Sequence, residues 1–320
     1  ADSGAVVVID AHTGEVLAMV NQPSYNPNNR SVMSIDSLRN RALTDVLEPG
    51  STMKPMTVAA ALMSGQYDPE TIVDTSPGFM KVKRKTIRDH RNYGELDITG
   101  IITKSSNVGV TKLALSLPEN SIRDTFYSFG LGQATASGFP GESTGILPSY
   151  AKWNPINLAT MSYGYGIAVT PVQLAQAYNV FASHGLKRPV SILKQTQVPE
   201  AERVMPEHVA KQVIEMLEKV TQQGGTGTRA SVPSYRVAGK TGTVHKPSKD
   251  GGYDDDVYAA VFAGLAPASN PRLVCVVIID NPKGEQYYGG EVAAPVFSRI
   301  MAESLRLLNV APDNLLPLQG

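Results

Sequence analysis

Cysteine is nearly absent from this chain. The single residue, Cys275, rules out any intrachain disulfide. It sits inside Leu273-Val274-Cys275-Val276-Val277-Ile278-Ile279 and reads as a small core hydrophobe. One thiol does not fix the compartment. Net charge is missing too, with 29 basic residues against 29 acidic ones. No basic excess exists to neutralise phosphates, which argues against nucleic acid as the main partner. Aromatics make up 7% of the chain, too few for base-stacking platforms. No apolar run approaches the roughly 18 residues of a membrane helix. No signal peptide is visible, because Ala1-Asp2-Ser3-Gly4 leads straight into a strand. The histidines (His12, His90, His184, His208, His245) have no ligand spacing, so neither a metal nor a cofactor is expected.

What remains is an ordinary globular composition, 42% apolar and 18% charged over 320 residues. That length allows one large domain or two small ones. Residues 5–9 and 16–20 are apolar, β-branched runs flanking a polar turn that holds His12, and read as a hairpin. Residues 66–97 read as irregular and polar, with a cluster of Lys81, Lys83, Arg84, Lys85, Arg88 and Arg91. Helices are expected over 101–117, 119–129, 171–183 (Thr170 as N-cap, Pro171 at N1) and 206–220. Strands are expected over 235–244, 257–265 and 273–279, with a mobile loop over 246–256. A last helix is expected from about Pro295 to Leu308, with Val296, Ile300 and Leu308 on one side. Strands, then helices, then strands indicate an α+β fold. The expectation is one five-stranded antiparallel sheet packed by the first and last helices, with a mainly helical lobe between. The sheet lobe would take residues 1–50 and 225–320, and the helical lobe 51–224.

The chain is organised around Pro49-Gly50-Ser51-Thr52-Met53-Lys54-Pro55. A turn runs into Ser-x-x-Lys and then into an apolar helix that ends near Gly65. Residues three apart share a helix face, so Ser51 and Lys54 should be neighbours. Pro55 cannot bond the Ser51 carbonyl, which puts Ser51 at the edge of the regular helix. Orphan N–H groups there favour an oxyanion. A serine hydroxyl needs an adjacent base, and a neutral lysine can be one. Dropping a lysine pKa from about 10.4 to about 7 costs roughly 4.6 kcal/mol, met by burial or a nearby cation. Ser-x-x-Lys also occurs at Ser149/Lys152 and Ser191/Lys194, but no apolar helix follows either pair.

Two further motifs strengthen the signal. Ser105-Ser106-Asn107 opens a helix, where a serine is ordinarily only a cap. Lys240-Thr241-Gly242-Thr243 lies on a strand, where a lysine is ordinarily an edge charge. The flanking glycines of that strand imply that something approaches it closely.

Ser-x-x-Lys, Ser-x-Asn and Lys-Thr-Gly, in that order, mark β-lactamases and penicillin-binding proteins. The chain resembles the class B penicillin-binding proteins, in particular the septal, division-specific peptidoglycan D,D-transpeptidases of Gram-negative bacteria. The segments VVVIDAHTGEVLAMVNQPSYNPN, LEPGSTMKPMTVAAAL, KSSNVGVTKLAL, YGYGIAVTPVQLAQAY, AGKTGT and YYGGEVAAPVF carry the resemblance, which spans nearly the whole chain. Ser-Ser-Asn in place of Ser-Asp-Asn favours the transpeptidase branch. The resemblance implies a single transpeptidase domain over 1–320, with Ser51 as nucleophile and Lys54 as its base. Ser105 would relay a proton to the leaving amine, and Asn107 would hold the substrate amide. Lys240, Thr241 and Gly242 would form one wall. Thr243 would bind the terminal carboxylate and, with Ser51, supply the oxyanion hole.

The implied partners are peptidoglycan stem peptides, β-lactam antibiotics and divisome membrane proteins. The implied place is the periplasmic face of the inner membrane, with an N-terminal anchor and pedestal not included in this chain. Tyr287-Tyr288-Gly289-Gly290 is expected to line the cleft, with Tyr288 as a substrate contact. His245 is a candidate for the cleft's edge. Three rivals remain at this level: a serine β-lactamase or D,D-carboxypeptidase, a β-lactam sensor, and a divisome scaffold with a vestigial site. Glu142 is the only loop candidate with flanking turn residues for a deacylating base, but its surroundings read as a Gly-rich surface loop, so a long-lived acyl-enzyme is expected.

Overall fold

The structure is a computed structural model and describes residues 1–29, 31, 33–149, 154–248 and 251–315. Lys152, of the second Ser-x-x-Lys pair, lies outside the described residues. Five strands form one antiparallel sheet in the spatial order Val16–Gln22, Ser3–Asp10, Leu273–Asp280, Tyr253–Ala266, Ala238–Pro247. The first two are the expected hairpin, with Val8 opposite Ala18. In the middle, Cys275 faces Val8 on one side and Gly264 on the other. It is wholly buried, and burial pushes its thiol up, as a core hydrophobe requires. The Lys240 strand is an edge strand paired, among the described residues, with Tyr253–Ala266 alone, and Lys240 lies opposite Ala263.

One sheet face packs on the last helix, Ala294–Leu307. Of the expected stripe, Val296 and Ile300 pack half-buried against the core. Phe297, Met301 and Leu305 are the buried positions, and Leu308 is exposed. Phe297 meets Phe262 at 4.7 Å between ring centres. Burying such a ring stabilises by about 1.5–3 kcal/mol.

The other face does not pack on the helix after Ser51. Pro171–Ala182 and Glu207–Thr221 cover it, while Lys54–Met63 runs inside the helical lobe against Asn107–Ser116 and Ser121–Ser128. The reason is polarity: Lys54–Met63 is apolar almost all round, which suits a helix enclosed by other helices. The Thr170 capping box with Pro171 at N1 is present as expected. Asn154 and Pro155 start a further helix, Pro155–Met161, by the same signal.

Three other expectations change. Residues 66–97 contain two small ribbons, Ile72–Asp74 with Glu95–Asp97 and Phe79–Val82 with Lys85–Arg88. The second buries Val82 and Ile87 beneath a polar outer face. The hairpin joining Ala238–Pro247 and Tyr253–Ala266 is longer than expected, since pairing reaches Pro247 and Tyr253. The helix over 101–117 is in fact two, Ile98–Lys104 and Asn107–Ser116. Ser105 breaks them with φ 59°, a left-handed conformation rare for a residue with a Cβ.

Candidate active site

Ser51 occupies a 3₁₀ turn, Gly50–Met53, and Lys54 is the first residue of the α-helix that follows. The turn is held from several sides. Gly50 N–H donates to Gly164 O at 3.1 Å, and the buried Tyr178 hydroxyl donates to Thr52 O at 2.9 Å. Thr52 Oγ1 donates to Pro49 O at 2.7 Å. Gly242 lets the turn approach the edge strand: a Cβ there would come within 3.0 Å of Pro49 O and 3.1 Å of Thr52 Cγ2. Ser51 itself is half-buried, and its hydroxyl has no hydrogen-bond partner among the described residues. A nucleophile left open in this way suits an apo cleft, where catalytic bonds tighten on substrate binding.

Lys54 is wholly buried. Its Nζ donates to Ser105 O at 2.5 Å and to Ser105 Oγ at 3.0 Å. The left-handed turn at Ser105 brings both of its oxygens to one side. Lys240, also wholly buried, donates from Nζ to the same Ser105 Oγ at 3.0 Å and to Thr241 O at 3.3 Å. One hydroxyl thus stands between two lysines. Burial holds the Lys54 ammonium far below its ordinary range, the Lys240 charge adds to that, and Asp89 opposes it. Burial alone pulls Lys240 down to about 7.

Asn107 starts its helix beside this cluster, and its Nδ2 donates to Arg88 O at 2.9 Å. Asp89 organises the junction. Its Oδ1 accepts from the N–H groups of Asn107 (2.5 Å) and Val108 (2.9 Å), and its Oδ2 accepts from Ser106 Oγ at 2.6 Å. Ser106 in turn caps the helix by accepting from Gly109 N–H at 2.8 Å.

The remaining motif residues have structural partners of their own. The Thr241 hydroxyl pairs with Thr226 Oγ1 at 2.8 Å. Thr243 Oγ1 accepts from Gly289 N–H at 2.9 Å, which fastens the 287–290 segment to the edge strand. Gly289 must lack a side chain, since a Cβ would lie 2.3 Å from Gly242 O. Tyr288 is half-exposed and stacks on Tyr287, with ring centres 4.4 Å apart. Tyr287 stacks on Tyr258 at 4.2 Å, and Tyr258 meets His245 at 4.6 Å. Tyr165 packs edge-on to Tyr163 and Tyr253.

The other serines are not assembled this way. Ser149 is exposed, and Ser191 donates to Leu193 O beside an exposed Lys194. Glu142 spends both carboxylate oxygens on its own loop, accepting from Thr135 N–H (2.8 Å), Thr135 Oγ1 (2.5 Å) and Ser137 Oγ (2.7 Å). No group of three or more metal-ligating side chains occurs among the described residues.

Two carboxylates of the site region were not foreseen. Asp89 is one. Glu48 is the other: its Oε1 accepts from Gly166 N–H (2.7 Å) and from the Tyr253 hydroxyl (3.1 Å). Burial raises the Glu48 pKa, and those two bonds pull the other way. Its position three residues before Ser51, in Leu47-Glu48-Pro49-Gly50, was the available signal.

Comparison with known proteins agrees with this geometry. The family model described as penicillin binding protein transpeptidase domain matches residues 4–302. The chain is 48% identical over 315 residues to the peptidoglycan D,D-transpeptidase FtsI of Escherichia coli K12, covering 98% of this chain and 53% of that protein. It is 45% identical to a probable peptidoglycan D,D-transpeptidase PenA of Neisseria flavescens, covering 98% of this chain and 77% of that one. The chain spans about half the length of most curated relatives it matches. Among solved structures, the apo transpeptidase domain of Burkholderia pseudomallei penicillin-binding protein 3 superposes with a TM-score of 0.89 at 43% identity, covering 98% of this chain and 90% of that one. The five-stranded antiparallel sheet, the three motifs and these likenesses agree: the chain belongs to the penicillin-binding protein transpeptidase domain family.

Proposed function

We propose that the chain is a serine D,D-transpeptidase that cross-links peptidoglycan stem peptides during cell division, and that β-lactams acylate it. The observation that carries the reading is the Lys54–Ser105–Lys240 bridge, with both Nζ atoms 3.0 Å from one hydroxyl. Neutral Lys54 takes the Ser51 proton, and Ser51 Oγ attacks the carbonyl of the penultimate D-alanine. The N–H groups of Ser51 and Thr243 receive the oxyanion; each such donor is worth about 10²–10³ in rate. The proton passes through Ser105 to the leaving amine of terminal D-alanine. An amine of a neighbouring stem then attacks the acyl-enzyme and frees Ser51. Asn107 holds the substrate amide, and the free edge of the Lys240 strand pairs with the extended peptide. Lys240, Thr241 and Thr243 receive the terminal carboxylate, and Tyr288 bounds the cleft.

The named relatives support the transpeptidase activity, and the septal role, the divisome membrane proteins as partners and the periplasmic face of the inner membrane as the place rest on the resemblance of the division-type segments. No helix among the described residues is long and apolar enough to cross a membrane.

The test is covalent labelling. Mass spectrometry of the chain after penicillin should show one adduct, on Ser51, and none in Ser51→Ala. Label on Ser149 or Ser191 would overturn the assignment. Steady release of many hydrolysed penicillins per chain would replace the transferase with a β-lactamase.

A further inference from the structure

Six of the 29 basic residues fall within residues 81–91, which hold one carboxylate, Asp89. Lys81, Lys83, Arg84, Lys85, Arg88 and Arg91 are all exposed. None of the six forms a salt bridge with a described carboxylate, although the chain has as many acids as bases. The one local acid is spent, since both Asp89 oxygens hold the Asn107 helix.

The ribbon is also fixed in place. Met80 and Ile87 are opposite each other, and Val82 and Ile87 are buried beneath it. Arg88 lies over the Phe79 ring at 5.2 Å, and its carbonyl accepts from Asn107 Nδ2. Lys83 turns the ribbon at φ 51°, a conformation in which glycine or asparagine is at ease and a long cation is not. Beside the tip, Arg84 and Lys85 line a shallow groove with Asn154 and Ile156. Arg91 lies over the Tyr93 ring at 5.3 Å, so a fixed row of cations without carboxylate partners starts beside Asn107 and runs outward to that groove.

We propose that this ribbon is a docking surface for a polyanionic peptidoglycan strand, seating the uncross-linked stems that flank the reacting one. The inference rests on the transpeptidase reading. Every uncross-linked stem ends in a free carboxylate, so a strand presents anions at intervals along its length. One reacting stem fills the cleft, and its neighbours on the strand meet the cations beyond Asn107. A surface of this kind raises local substrate concentration and is weakened by salt.

The experiment blocks the cleft and reads the ribbon alone. The chain is acylated with penicillin and titrated into fluorescein-labelled soluble uncross-linked strands, with polarisation as the readout. Strands whose carboxyls are amidated should bind about tenfold more weakly to the unaltered protein. Lys83→Asn, Arg84→Ser and Lys85→Ser together should give a similar loss, since asparagine tolerates the left-handed turn. Lys211→Ser, Arg299→Ser and Arg306→Ser together, elsewhere on the surface, should not. Equal affinity for native and amidated strands overturns the proposal without help from any variant. Weak strand binding beside tight, ribbon-dependent binding of phosphatidylglycerol vesicles overturns it in favour of a membrane contact. Penicillin acylation of Ser51 reports on the transpeptidase reading separately, so the two failures are distinguishable.

Discussion

Lys54 and Lys240 share a single acceptor, Ser105 Oγ, at 3.0 Å from each Nζ. Two ammonium groups so close in a dry site cannot both stay charged at neutral pH at low cost. In the proposed reaction the arrangement divides the labour. Lys54, pushed down by burial and by the Lys240 charge, would serve as the base. Lys240, pulled down to about 7 by burial, would supply the positive potential while it keeps its proton.

The acylation rate should therefore be bell-shaped in pH. On the acid side Lys54 takes up a proton and ceases to be a base. On the alkaline side Lys240 loses its proton at about 7 and stops attracting the substrate carboxylate. Lys240→Arg should retain partial activity and lose the alkaline limb, because arginine stays charged. Lys54→Arg should lose about 10²–10⁴ in rate, the usual worth of a general base. Stopped-flow acylation with a chromogenic cephalosporin across pH reads all three. An alkaline limb that survives Lys240→Arg would assign it to another group.

Asp89→Asn should separate stability from catalysis. Asparagine keeps one acceptor for the Asn107 helix and loses the charge, so the cap weakens by about 1 kcal/mol or less. Thermal unfolding should fall by a few degrees. Asp89 raises the Lys54 pKa, so removing its charge should move the acid limb to lower pH. An acid limb shifted to higher pH would contradict the sign.

The motifs were legible because each is short and sits on a regular element. Ser51, Lys54, Ser105, Asn107 and Lys240 follow from three such stretches and their resemblance to a family. Asp89 and Glu48 were not legible, because their partners come from tertiary folding. Asp89 caps a helix that begins 18 residues later, and Glu48 holds a loop 118 residues away. The break at Ser105 was hidden for a different reason: apolar spacing on both sides mimics one continuous helix, and the left-handed turn leaves no mark in that pattern. Strand order was partly legible, since the hairpin at each end limits how five strands can pair. Which helices cover the sheet depended on side-chain fit at Phe297 and on the all-round apolarity of Lys54–Met63, which periodicity does not report.

Glu48 joins three segments around the nucleophile. Its Oε1 takes one bond from Gly166 and one from Tyr253, and Leu47 pairs with Val169 beside it. Glu48→Ala should cost about 0.5–1.5 kcal/mol, the net worth of the bond, since the exposed Gly166 N–H can turn to water. Acylation should slow about tenfold, because a nucleophile turn displaced by a fraction of an ångström loses alignment. Tyr253→Phe removes one of the two bonds and should cost less on both measures. A Tyr253→Phe defect larger than that of Glu48→Ala would mean that the tyrosine contacts substrate directly.

Deacylation is where a transpeptidase and a β-lactamase part. Hydrolysis needs a base aimed at the acyl carbonyl, and a missing base costs about 10²–10⁴ in rate. Glu142, the loop carboxylate expected as the candidate, accepts three bonds within residues 135–142. A carboxylate so engaged holds its loop in shape, with both oxygens already turned to donors of that loop. Glu142→Gln should therefore lower thermal stability, since an amide cannot accept from all three donors as well. It should leave the lifetime of the penicilloyl-enzyme unchanged. In the unaltered chain, penicillin consumption should stop near one equivalent, and the adduct should persist for many minutes. Following intact mass and free penicilloate together over hours separates the cases. An adduct that vanishes within seconds, and that Glu142→Gln preserves, would make Glu142 the base and the protein a hydrolase.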